Sequence, residues 1–265
     1  MPFLFLTVDL GNSRCKLRTW ELDRDAAPRL ARALDLDVGA DLATQASRRL
    51  AESPRAGAAA VSSVASLEIE RELTEMLRAS VDGVVHLHPE PGLEVACREP
   101  RSVGRDRIYA ARGAFELARS SAIVVDAGTA LTVDALRVEG EHRTFLGGAI
   151  APGPRLLAAA LASHTARLPR VVPRADAAAL GRDTEEALQS GIAVGFRGAA
   201  RELVERVSQE AHLDNAPVVL TGGARVFLAK PSAFGSRHVI EHAELVHLGL
   251  LAACAVLLER SAGAR

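Results

Sequence analysis

Cysteine is rare in this chain: Cys15, Cys97 and Cys254 are the three in 265 residues, far apart and odd in number. That excludes a disulfide framework and a zinc knuckle and points to a reducing compartment. Aromatics are scarce at 3%, while alanine and arginine are plentiful, a pattern of GC-rich coding that says little about function. No excess of charge exists either; the net charge is -1, so there is no basic footprint for nucleic acid. Long apolar runs are missing. The run at Phe3–Val8 has no basic segment before it and is too short to span a membrane, and Leu248–Leu258 is too short as well. No G-x-x-x-x-G-K-[ST] and no G-x-G-x-x-G after a strand is present, which argues against a P-loop and a dinucleotide-binding Rossmann domain. The apolar content of 48% and charged content of 25% are ordinary for a soluble, cytoplasmic, enzyme-sized protein with a sizeable core.

What is present begins with "IVVDAGTALTVDA", Ile123 to Ala135. An apolar run meets Asp126, then Gly128 and Thr129, and a second apolar run follows. The N-terminus repeats the pattern: Phe3 to Val8, then Asp9, Gly11 and Ser13, then alternation from Lys16 to Trp20. Strand, acid-glycine turn, strand reads as a hairpin. One in each half implies a duplicated unit.

The rest of the chain alternates strands and helices, which gives an α/β class. Ala40–Glu52, Leu67–Arg78, Val103–Arg119, Arg155–Ala166, a long segment from Thr184, and Glu244–Arg260 read as helices. Ala58–Val64, Val84–Leu87, Pro217–Thr221 and the region of Val239 read as strands. Leu22–Asp37 carries no clear signal, and "GEHRTFLGGAIAPGPRL" reads as a turn, another strand and a Gly/Pro-rich loop, Gly147–Pro154. The duplication sets a boundary near Ser120, dividing the chain into 1–120 and 121–265.

Glycine lets backbone N–H groups approach phosphate oxygens with no Cβ between them. An acid at a strand end can hold a cation that neutralises a polyphosphate. The hydroxyls of Ser13 and Thr129 can donate to phosphate oxygens. Two such turns facing one another would make a phosphate clamp, and "VVLTGGA" offers bare backbone to an adenine.

At this point the chain resembles the type III pantothenate kinases. The resemblance rests on "DLGNSRCK" (Asp9–Lys16), "GRDR" (Gly104–Arg107), "DAGTALTVD" (Asp126–Asp134), "GGAIAPG" (Gly147–Gly153), "GRDT" (Gly181–Thr184), "SG" (Ser190-Gly191) and "LTGG", in order over nearly the whole chain. It implies the actin-like ATPase and sugar-kinase superfamily fold, with two ribonuclease-H-like domains. It also implies transfer of phosphate from ATP with Mg2+ to pantothenate, a K+ or NH4+ ion, and a homodimer, with no membrane or nucleic-acid partner. Asp106 becomes the base, in a substrate segment of Gly104, Arg105, Asp106 and Arg107 where Arg105 occupies the variable position. Thr184 becomes a second substrate contact. Asp9, Leu10, Gly11, Asn12, Ser13, Arg14, Cys15 and Lys16, with Thr129, meet ATP, and Asp126 is the monovalent-cation ligand. A Bvg-type accessory factor shares these motifs, so a related small-molecule kinase and a nucleotide-binding regulator without kinase activity remain alternatives.

Plainer explanations stand beside these. Asp106 also suits a helix N-terminus. Lys16 also suits a strand surface, and Asp183 with Glu186 makes "DTEE" a capping sequence around Thr184. "HVIEH", His238–His242, matches an inverted zinc-protease pattern, but Val239-Ile240 read as strand. "GIAVG" with Gly198 suits close helix packing. One departure matters: Cys97 stands where the family commonly has a substrate-contacting tyrosine.

Overall fold

The computed structural model describes residues 3–23, 25–229 and 231–263, and within them all side chains but those at 231, 232 and 256–263. In chain order come β1 (Phe3–Leu10), β2 (Arg14–Asp23), β3 (Ala26–Asp37), α1 (Leu42–Leu50), β4 (Ala58–Ser63), α2 (Leu67–Ser80) and β5 (Val85–Leu87). Next are β6 (Glu94–Val95), α3 (Arg105–Ala118), β7 (Ala122–Ala127), β8 (Ala130–Glu139), β9 (His142–Pro152) and α4 (Pro154–His164). Then follow α5 (Thr184–Glu210), β10 (Val218–Thr221), β11 (Val239–Glu241) and α6 (Leu245–Gly263).

The duplication is visible in the sheets. One runs β3-β2-β1-β4-β5; the other runs β11-β10-β7-β8-β9-β6. In each, three strands form an antiparallel meander and two more lie parallel to its first strand. β6 is the extra strand, parallel to β9. The chain divides into two compact units, Met1–Gly92 with Arg101–Glu116 and Leu245–Arg265, and Leu93–Pro100 with Leu117–Glu244. Contacts thus group α6 with the first unit, whereas a division at 120/121 assigns it to the second.

The third strand of each meander departs from the sequence expectation, β3 in being a strand at all and β9 in continuing past its expected end. β3 lies within the segment left unassigned, because it is an edge strand whose first eight residues are mostly exposed and lack a buried alternation. β9 runs through the expected Gly147–Pro154 loop. Its register shifts against β8 at Ala135/Leu136, and Gly147 sits beside that shift with φ 106°. Glycine here serves a bulge rather than a loop.

In the first unit, alternation along β1 puts Leu6, Val8 and Leu10 on one face, packed with Leu42 and Ala46 of α1 and Leu73 and Leu77 of α2. Phe5, Thr7 and Asp9 take the other face, which α6 covers: the Thr7 hydroxyl meets His247 Nδ1 at 2.8 Å and accepts from Trp20 Nε1 at 2.8 Å. α3 and α6 cross where both lack a side chain. A Cβ on Gly249 would overlap the carbonyl oxygen of Tyr109, and one on Gly113 would overlap that of Leu245. In the second unit α5 covers the sheet through Ala193, Phe196, Ala200 and Val204, against Ile123, Val125, Leu131 and Val133.

The crossing generates a prediction. Gly249→Ala should cost roughly 2–4 kcal/mol, read as a lowered urea midpoint by circular dichroism. Gly195→Ala, exposed on α5 with nothing near its Cβ position, should stabilise by up to about 1 kcal/mol. Equal midpoints for the two variants would contradict the close crossing.

Candidate active site

In the first unit the acid of the first hairpin ends β1 inside the protein. Asp9 is 9% exposed and paired in register with Lys16, Nζ to Oδ2 3.6 Å. Burial pushes its carboxyl up to about 6; Lys16 opposes this, the charge of Asp106 adds to it, and Arg18 opposes it more weakly. The turn from Gly11 to Arg14 is closed by Gly11 N–H donating to Arg14 O at 2.9 Å. Asn12, Ser13 and Arg14 are exposed there, whereas Leu10 and Cys15 point into the core and offer only backbone. Arg14 also pairs with Asp37 at 3.2 Å.

Asp106 lies in the first turn of α3. Burial raises its pKa, offset by the Arg107 N–H, which donates to Oδ1 at 2.8 Å, and by the charges of Arg107 and Lys16. Gly104 leaves its carboxylate room: a Cβ there would stand 2.5 Å from Oδ1. The first unit therefore brings Asp9, Lys16 and Asp106 into one electrostatic group, although they come from three elements. Arg105 is exposed beside it, and its charge helps burial lower the pKa of His88, against Glu70.

Sequence reasoning missed Arg18. It follows Lys16 by two residues on β2, so both project from one face. Arg18 is 4% exposed and donates to the carbonyls of Leu17 and Leu34 and, at 2.6 Å, to Asp35. The alternation of Lys16, Arg18 and Trp20 was the available signal.

The second unit gathers three glycine motifs at the end of β7. The turn after Asp126 closes with Gly128 N–H donating to Ala130 O at 2.9 Å and leaves Thr129 exposed. Gly153 lies behind it: a Cβ there would stand 2.5 Å from the carbonyl oxygens of Gly128 and Thr129. Gly222, with φ 91°, lies on the other side, where a Cβ would overlap Ala127 O and Asp126 Oδ1. Gly128 and Gly222 thus leave space beside the Asp126 carboxylate that a side chain at either position would fill. Asp134, 1% exposed, shares its sheet face and was not singled out from the sequence.

Thr184 is the first residue of α5 and exposed. Capping is real: Asp183 accepts from Glu186 N–H at 2.8 Å. Cys97 follows β6, with its sulfur 3.4 Å from the Cβ position of Gly147. In "HVIEH" the residues Val239–Glu241 are strand. An extended chain holds His238 and His242 about 13 Å apart, so they cannot share a zinc ion. Among the described residues no group of three or more His, Cys, Asp or Glu could hold a metal, and no helix is long and apolar enough to cross a membrane.

Two solved structures share the fold. The ethanolamine utilization protein EutJ from Carboxydothermus hydrogenoformans aligns with TM-score 0.52 at 16% identity, covering 96% of this chain and 91% of that one. A 2-dehydro-3-deoxygalactonokinase-type protein from Sinorhizobium meliloti aligns with TM-score 0.57 at 16% identity, covering 96% of each. The fold is that of the actin-like ATPases and sugar kinases. Within that class, residues 5–206 match the type III pantothenate kinase family model. A type III pantothenate kinase from a Parafrankia strain is 32% identical over 94% of this chain and 97% of its own length. One from Thermus thermophilus is 41% identical over 58% of this chain and 61% of its own. The chain belongs to the type III pantothenate kinase family.

The buried acid generates a prediction about stability. In the folded protein Asp9 titrates near 6 against 3.8 for the free side chain. Between those values the folded state holds more protons, so stability rises as pH falls through 6, and the cost is full above it. Asp9→Asn should therefore stabilise the nucleotide-free protein at pH 8 by on the order of 2 kcal/mol. The gain should be nearly gone at pH 4. Urea denaturation across that range checks it; a gain that grows toward acid would reverse the assignment.

Proposed function

We propose that this protein transfers the terminal phosphoryl group of ATP to the hydroxyl of pantothenate, giving 4'-phosphopantothenate, the first step of coenzyme A synthesis. The observation that carries the reading is Asp106: a substantially buried carboxylate of raised proton affinity in the family's "GRDR" segment, coupled electrostatically to Asp9 and Lys16. ATP with Mg2+ supplies the phosphoryl group and the charge that neutralises it.

Asp106 accepts the proton of the attacking hydroxyl, and a raised pKa improves a carboxylate for that task. Arg107 orients substrate beside it, with Gly104 and Arg105 lining the segment. Lys16 and the turn from Gly11 to Ser13 hold phosphate oxygens. In the second unit Thr129 and the bare backbone around Asp126 do the same, with Asp126 holding a potassium or ammonium ion. Thr184 contacts pantothenate. The protein works in the cytoplasm as a homodimer; Val172, 80% exposed, and Leu180, 77% exposed, support self-association.

A coupled ADP-release assay with ATP and pantothenate tests this. Asp106→Asn should lower turnover by roughly 10²-fold while ATP still binds. The wild-type rate should need potassium and not be restored by sodium. Near-normal turnover in the variant would remove Asp106 from the role of base.

The cysteine substitution allows a finer test. A tyrosine at this position would add a flat apolar face and a hydroxyl. Cys97→Tyr should lower the pantothenate KM several-fold, as expected for about 1 kcal/mol from one hydrogen bond, with kcat unchanged. An unchanged KM would mean that other residues form that wall.

A further inference from the structure

The connection from α4 to α5, residues 165–183, contains no helix or strand. Connections longer than about 15 residues without such structure are either functional or disordered. This one is held by side chains of α5 that are themselves buried. Gln189 is 8% exposed. Its Oε1 accepts from Arg174 N–H at 2.9 Å and its Nε2 donates to Val172 O at 2.6 Å. The N–H and carbonyl of residues two apart project from the same edge of an extended chain, so the side-chain amide takes the place of a neighbouring strand. Ser190, also 8% exposed, donates to Ala179 O at 2.7 Å. Glu186 accepts from Arg182 N–H at 2.8 Å. Beneath these bonds Val171 packs with Leu188 and Ile192 of α5 and Ala158 of α4.

We infer that Gln189 and Ser190 are positioning residues: they strap the 165–183 segment onto α5 so that the chain enters Thr184 in one conformation and presents it to the acceptor. Buried amide and hydroxyl groups at these helix positions are not needed for helix formation, and α5 already has Asp183 as its cap. Their cost of burial is offset only by the backbone they fix. The inference rests on the assignment of Thr184 to pantothenate.

Gln189→Met keeps length and removes both bonds. Brief trypsin treatment of the native protein should then cut after Arg170 or Arg174 at least about 10-fold faster, because local opening governs such cleavage. The pantothenate KM should rise roughly 10-fold, with kcat and the ATP KM within about twofold, the signature of lost acceptor binding alone. Gln189→Glu keeps the acceptor and should fall between. Ser190→Ala, a smaller change, serves with the same readouts if Gln189→Met does not fold. Faster cleavage with an unchanged pantothenate KM would overturn the inference, as would kcat and both KM values shifting together. Wild-type protein that leaves pantothenate unphosphorylated would overturn the functional assignment instead, and the cleavage rates would still report whether Gln189 holds the segment.

Discussion

Backbone meets backbone in this protein at places where a single carbon would not fit. Gly249 lies on the carbonyl of Tyr109, Gly113 on that of Leu245, Gly153 on the second hairpin turn, and Gly222 on Ala127. The first pair sets how closely α6 approaches α3, the helix that carries Asp106. The second pair sets the walls around Asp126. Interiors are packed densely enough that such an approach leaves little room for adjustment. The segments that carry Asp106 and Asp126 are held through main-chain contact, not through long side chains that could hop between rotamers.

Charge is placed against its own preference in the first unit. Asp9 and Asp106 are both drawn from solvent, Asp9 also feels the charge of Asp106, and Lys16 is the shared counter-charge. A carboxylate pushed toward neutral pH is a better proton acceptor and a less stable neighbour. The protein tolerates this because Arg18 and Lys16 lie on the same face of β2. Those cations, with burial, hold His247 well below the usual imidazole range, so the buried ring is neutral. Thr7 can then accept from Trp20 and donate to His247, giving the hydroxyl two of its partners without adding another charge.

The two hairpins were legible in the sequence because apolar alternation, an acid and a glycine coincide within a dozen residues. The duplication followed from finding them twice, and both sheets bear it out in their strand order. The third strand of the first repeat was not legible, and that of the second was legible only in its first half. β3 exposes most of its length, so burial imposes little pattern on it, and β9 carries glycines that resemble a loop signal but serve a bulge. Arg18 escaped notice because a buried arginine satisfied by carbonyls looks, in one dimension, like any strand residue. Gln189 escaped for a similar reason: its partners lie in a segment without periodicity, and only three dimensions show that an amide side chain is standing in for a strand.

The first unit is assembled from three stretches, the last of which, Leu245–Arg265, carries α6. On the ribosome, synthesis proceeds from the N-terminus and domains fold as they emerge. β1, with Asp9 already in place, must then wait for the whole second unit to be made before α6 arrives to cover Thr7 and close against Tyr109. The unit begun first is completed last, and a chain cut short before residue 245 would leave α3 without the surface that seats it.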